Sequence, residues 1–175
     1  MKTNPNLELI AMRWLWLKRN CHYLVEQRSP RHHLGSPDAL GVTKARFLIE
    51  IEIKRSASDF CADFHKPHRI NRGLFSTHQA KEFYYLMPRE LAVKLKPKIP
   101  EWSGLMCDLR SFDVEILKPS PINKESKRLS VKECVRMARC VVNHYMAEYQ
   151  RKEFKSRDDL DFVELTNAEK GTYQI

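Results

Sequence analysis

The chain has 175 residues, a net charge of +9 from 31 basic and 22 acidic side chains, and 42% hydrophobic content, which together describe one globular domain and exclude a disordered polypeptide. With only 5 Gly and 9 Pro, and neither a fixed-period repeat nor a low-complexity tract, linkers, collagen-like chains and solenoids are excluded as well.

In chain order, Asn4 and Pro5 read as the N-cap and first residue of a helix in which Leu7, Ile10, Ala11, Trp14 and Leu17 or Lys18 follow at helical spacing. Residues 22–27 suit a strand, and the turn-rich stretch from Arg28 to Pro37 suits a hairpin-like excursion. From Arg46 to Lys54 the chain alternates, with Phe47, Ile49, Ile51 and Ile53 on one face and Leu48, Glu50, Glu52 and Lys54 on the other. Ser56 and Asp59 form a capping box for a second helix, whose expected buried stripe is Phe60, Cys61 and Phe64 and which ends before Pro67. Strands are expected over 82–87, 104–109 and 112–117, and a short helix over 88–95. Ser130 and Glu133 cap a long last helix with an apolar face of Val131, Cys134, Val135, Ala138, Val141, Val142, Tyr145 and Tyr149. The pattern predicts an α/β fold on a mixed sheet of five strands.

Residues 1–155 read as a single domain and 156–175 as a flexible acidic tail; Asp158 to Ile175 carries five acids and one Lys. The stretch before it, Lys118 to Arg157, has eleven Lys or Arg against four Glu, and such a basic body attracts phosphate. Glu8 and Arg13 interrupt any signal-peptide core, and the longest apolar runs are too short to cross a bilayer. A cytoplasmic protein with no membrane partner is expected. The five cysteines form no Cys-x-x-Cys pair and sit mainly in apolar patterns, so they read as reduced, buried thiols, with no structural zinc.

The chemistry concentrates at Glu52 and Lys54. Two residues apart on a strand, a carboxylate and an ammonium project from one face, about 6 to 7 Å apart along the backbone. Phosphodiester hydrolysis needs a cation to offset developing charge and acidify water, and a Lys to assist the nucleophile. Asp38, fourteen residues upstream, supplies a second carboxylate if the intervening chain is a hairpin, and the Ile53 carbonyl supplies a further hard oxygen. Glu125-Ser126-Lys127 and Glu153-Phe154-Lys155 repeat the acid-x-Lys pattern, but without the strand context or the upstream Pro-Asp. An ion pair on a solvated strand face is the competing reading.

Pro37-Asp38 followed by Glu52-Ile53-Lys54, between two helices, resembles the PD-(D/E)XK nuclease superfamily. The run Glu52-Ile53-Lys54-Arg55-Ser56, with Ser58-Asp59-Phe60, Asp63 and Lys66, is similar to the branch containing MmcB-type DNA-repair proteins and related phage or mobile-element proteins. So is the segment from Phe83-Tyr84-Tyr85-Leu86-Met87-Pro88 to Gly104-Leu105. The resemblance spans roughly residues 5 to 117. It implies a restriction-endonuclease-like αβββαβ core, Mg²⁺ or Mn²⁺ as cofactor, and a hydrolase that cleaves DNA as an endonuclease. It also implies that Asp38 and Glu52 are metal ligands and that Lys54 assists the water. Glu8 or Glu26 is a candidate additional ligand, and Glu50 shares the face of Glu52.

DNA is the expected partner. Arg28, Arg31, His32 and His33 before the site, and Arg55, Lys66, Arg69 and Arg72 after it, are the candidate phosphate contacts, with His65 and His68 in the same cluster. Arg136, Arg139 and Arg151 on the last helix read as a solvated face. Trp14, Trp16, Tyr84 and Tyr85 read as core rather than as base-stacking platforms, with Trp102 more exposed. A homodimer is compatible with these features. The alternative function is a non-cleaving nucleic-acid- or protein-binding module of the same fold, such as a phage or mobile-element factor.

Overall fold

Apolar residues recurring every three or four positions put Leu7, Ile10, Ala11, Trp14 and Leu15 on the buried side of the first helix, α1 (Leu7–Leu17). Its cap is Asn6 rather than Asn4: the Asn6 side chain accepts the Leu9 N–H at 3.0 Å. The stripe turns through Leu15, so Leu17 and Trp16 stand 56% and 57% exposed, and Trp16 is not core. The computed structural model describes residues 6–26, 37–63, 80–109, 113–139, 141, 142, 146 and 149.

Among the described residues, six strands form one sheet in sequential order, β1 (Tyr23–Glu26), β2 (Ala39–Val42), β3 (Leu48–Ile53), β4 (Glu82–Met87), β5 (Gly104–Leu109) and β6 (Asp113–Lys118). β1, β2 and β3 pair antiparallel, β3, β4 and β5 parallel, and β5 and β6 antiparallel. Parallel neighbours need crossovers. α2 (Ala57–Asp63) lies in the first, between β3 and β4; α3 (Arg89–Leu95), continued by a 3₁₀ turn over Lys96–Lys98, forms the second, between β4 and β5.

Five strands were expected and six are present among the described residues, the addition being β2. All four of its residues are buried, so it lacks the inside–outside alternation that marks a strand in sequence. β4 is likewise buried throughout. Its alternate residues serve two layers: Tyr84 and Leu86 pack with α1, while Phe83, Tyr85 and Met87 pack with Phe60 of α2 and with Ala92 and Leu95 of α3.

The last helix begins at residue 131 behind the predicted capping box, in which the Ser130 N–H and hydroxyl both reach Glu133 Oε2 at 2.7 Å. Its buried stripe is Cys134 and Met137, with Val141 packed beside them, against Leu40, Val42, Leu48 and Leu129. Of the expected face, Cys134 and Val141 pack inward, whereas Val131, Val135, Val142 and Tyr149 are 65%, 46%, 58% and 63% exposed. Two adjacent apolar stripes run along this segment, and contact with β2 and β3 selects one. No helix among the described residues is long and apolar enough to cross a membrane.

α1 approaches β2 at Gly41. A Cβ there would lie 2.7 Å from Cys21 Sγ and 2.9 Å from Leu15 Cδ2. Gly41→Ala is expected to cost about 1–3 kcal/mol in urea unfolding. Adding Cys21→Ala, which removes the nearest atom, should recover part of that loss; equal stability of Gly41→Ala and wild type would disprove the close contact.

Candidate active site

The β2–β3 pairing builds the site. Ala39 pairs with Ile51, and continuing that antiparallel register by one residue sets Asp38 across from Glu52, the hairpin return that the sequence reading required. Asp38 Oδ2 accepts the Ile53 N–H at 2.7 Å, which ties the carboxylate to the end of β3. Burial and the adjacent Glu52 charge push the Asp38 carboxyl up to about 6, against the opposing pull of the Ile53 N–H and the Lys54 ammonium.

Lys54 continues the parallel pairing just past β3, its N–H donating to the Leu86 carbonyl at 3.0 Å. Only 2% of its surface is exposed. Its Nζ lies 3.1 Å from Glu52 Oε1 and 3.1 Å from Asp63 Oδ1, with Asp59 Oδ1 at 3.8 Å. Burial alone would lower the Lys54 ammonium, but the Glu52 and Asp63 carboxylates outweigh it and hold its pKa above the ordinary lysine value. Lys54 is therefore a cationic donor at neutral pH and not a proton acceptor.

α2 sets the far side. Ser56 Oγ accepts the Asp59 N–H at 3.1 Å, and Asp59 Oδ2 reaches back to the Arg55 N–H at 3.4 Å, so the predicted capping interaction forms one residue further out. Of the expected stripe, Phe60 is buried and Cys61 is exposed, while Phe64 lies outside the described residues; the helix also buries Asp63. Asp63 is fully buried, and its Oδ2 accepts the Tyr85 hydroxyl at 3.1 Å. Tyr85 pairs with Glu52 across β3 and β4, and its ring meets Phe60 and Phe83 edge-on at 5.2 and 5.0 Å. The two acids that hold Lys54 are thus braced by aromatic packing.

The structure brings Asp38, Glu52 and Lys54 together. Glu8 lies instead in a two-pronged bond with Arg55, whose Nη2 is 2.8 and 2.6 Å from its two oxygens. This pair joins α1 to the end of β3 and engages two of the candidate residues with each other. Glu26 pairs with Ala39, beside Asp38 along the backbone. Glu50 is half-buried on β3. Arg28, Arg31, His32, His33, Lys66, Arg69 and Arg72 lie outside the described residues, as do His65 and His68. Trp102, 41% exposed, tilts against Phe83 at 5.3 Å. The sequence places Tyr85 in the core, where it lies, and Asp63 within the resemblance, but gives neither a part in the site. The available signal was an acid three residues after Phe60 on one helical face.

Among the described residues, no group of three or more His, Cys, Asp or Glu side chains could hold a metal ion. Asp38 and Glu52 nonetheless fit a small hard cation, since Mg²⁺ commonly takes one or two carboxylates and completes its shell with water and substrate oxygens. The Asp38 carboxylate, whose ionisation burial and the Glu52 charge oppose, is also stabilised by a cation beside it.

No family model matches the chain, and no curated protein matches it. A solved structure does: a protein of unknown function from Silicibacter pomeroyi, 21% identical, with a TM-score of 0.54 over 86% of this chain and 92% of that one. The likeness establishes a shared α/β fold.

Lys54→Ala strands Glu52 and Asp63 as buried carboxylates, so it is expected to destabilise the protein by about 3–5 kcal/mol in chemical unfolding and is not a neutral probe of chemistry. Lys54→Met with Asp63→Asn should recover part of that loss; an Ala variant of wild-type stability would refute the buried network. For Asp38, the folded carboxyl keeps its proton up to about pH 6 while the unfolded one loses it near 4, so stability falls as pH rises through that window. Asp38→Asn should therefore exceed wild type by about 1–3 kcal/mol at neutral pH and lose the advantage near pH 4, as followed by melting temperature against pH.

Proposed function

We propose that the protein is a metal-dependent nuclease of the PD-(D/E)XK type that hydrolyses DNA phosphodiester bonds. The observation that carries this reading is the placement of Asp38 opposite Glu52 across β2 and β3, with Lys54 bonded to Glu52 on the same buried face. Asp38 and Glu52 would hold Mg²⁺ or Mn²⁺, which when bound supplies charge neutralisation at the scissile phosphate and a more acidic water. Lys54 supplies a fixed positive charge close to the nucleophile's position, and Asp63 with Tyr85 keeps that ammonium from swinging away. Asp38 must be ionised to act as a ligand, so activity rises with pH through about 6.

One observation favours a non-cleaving binding module of the same fold. Lys54 is engaged by carboxylates on two elements, an arrangement that also serves simply to pin α2 onto the sheet.

Supercoiled plasmid and single-stranded DNA, each incubated with Mg²⁺, Mn²⁺ or EDTA, separate the two readings. Wild type should cut only with metal, and Asp38→Asn and Glu52→Gln, both checked for folding, should lose at least about 100-fold in rate. Cleavage that persists in EDTA or in both variants overturns the nuclease reading, and a folded wild type that never cuts supports the binding module.

A further inference from the structure

Two cations converge on one aromatic ring at the start of β3. Lys81 Nζ lies 3.8 Å from the centroid of Phe47, and the guanidinium carbon of Arg128 lies 5.4 Å from it. Glu52 is five positions beyond Phe47, so this cluster is about 17 Å along β3 from the carboxylates.

Backbone bonds bind three stretches of chain together here. The Leu129 N–H donates to the Arg46 carbonyl at 2.9 Å, the Asn123 N–H to the Lys81 carbonyl at 2.9 Å, and the Lys81 N–H to the Leu48 carbonyl at 2.8 Å. The turn from Thr43 to Phe47 is closed by bonds of 2.8 and 2.9 Å. Lys44, Lys81, Lys124, Lys127 and Arg128 are thereby gathered at one end of the sheet, all exposed except the half-buried Lys81. Among the described residues none of the five forms an ion pair, and Glu125 is the single acid in the 121–130 stretch. Positive charges held together without carboxylate partners repel one another, and a polyanion lying across them relieves that repulsion.

We propose that this surface is a second nucleic-acid contact, which holds backbone phosphates at the end of β3 remote from Asp38 and Glu52. The choice of nucleic acid as the polyanion rests on the nuclease reading, whereas the affinity of the surface for a phosphodiester chain does not depend on cleavage. The cations come from a turn, a strand entry and a loop with Asn123 and Ser126 interspersed, not from one amphipathic helix of the kind that lies in a bilayer surface. Contacts of this sort position the duplex without reading its sequence.

The test is the anisotropy of a labelled DNA duplex of about 20 base pairs in EDTA, followed between about 50 and 200 mM salt. The triple variant Lys124→Gln, Lys127→Gln, Arg128→Gln should bind about tenfold or more weakly, and its log–log salt slope should be shallower than wild type by about 2 to 3. Lys44→Gln with Lys127→Gln, which spares the Phe47 ring contact, should show a drop of about 2. Slopes and affinities unchanged in both surface variants overturn the proposal. So does a wild type that binds phosphatidylglycerol vesicles through these residues but does not bind DNA. Because no cleavage is read, a protein that binds in this way but never cuts refutes the nuclease reading and leaves this one standing.

Discussion

The Lys54 ammonium, enclosed between Glu52 and Asp63, is the constraint on which the rest of the site depends. An ion so far from water is tolerable only with carboxylates in contact with it, and those carboxylates in turn need the ion. Glu52 belongs to β3 and Asp63 to α2, so the three charges lock the helix to the sheet. Tyr85 extends the lock to β4 through its hydroxyl, and Phe60 and Phe83 close around its ring. Dry aromatic packing and a buried ion network thus support each other within a few residues, and the low local dielectric strengthens the polar bonds.

Asp38 stands at the edge of this arrangement and is the member least suited to its surroundings. Every other buried charge in the cluster has an opposite charge in contact, whereas Asp38 relies on the Ile53 N–H and faces the Glu52 carboxylate. Chemistry is commonly found where a group is held against its own preference by a framework that is otherwise well satisfied. The framework here is the three-layer packing. α1 covers one face of the sheet; α2, α3 and the last helix cover the other, leaving the carboxylates where β2 begins and β3 ends.

β3 also links two unlike electrostatic environments. At one end, carboxylates gather around a single ammonium; at the other, Lys81 and Arg128 converge on the Phe47 ring, and among the described residues neither is in an ion pair. On the reading proposed above, a polyanion laid along β3 would be held at the basic end and would meet the Asp38 and Glu52 carboxylates at the other.

Much of this was legible in the residues alone. The alternation from Phe47 to Lys54 defined β3 and put Glu52 and Lys54 on one face, because the period of a strand is fixed by the pleat. The capping residues Ser56 and Ser130 marked two helix starts, because a helix terminus must satisfy its free N–H groups locally. Pro37-Asp38 pointed to a second carboxylate because a hairpin can bring distant residues opposite one another. What the sequence left open was every choice between equivalent local solutions. β2 carries no alternation because both of its faces are covered, and the last helix carries two apolar stripes of which only contact with Leu48 and Leu129 selects one. Asp63 and Tyr85 looked like ordinary polar and aromatic residues until the crossover after β3 brought α2 over Lys54. Periodicity and capping are local and can be read along the chain; burial, ion pairing and the gathering of cations at Phe47 depend on segments far apart in sequence, and only the packed fold decides them.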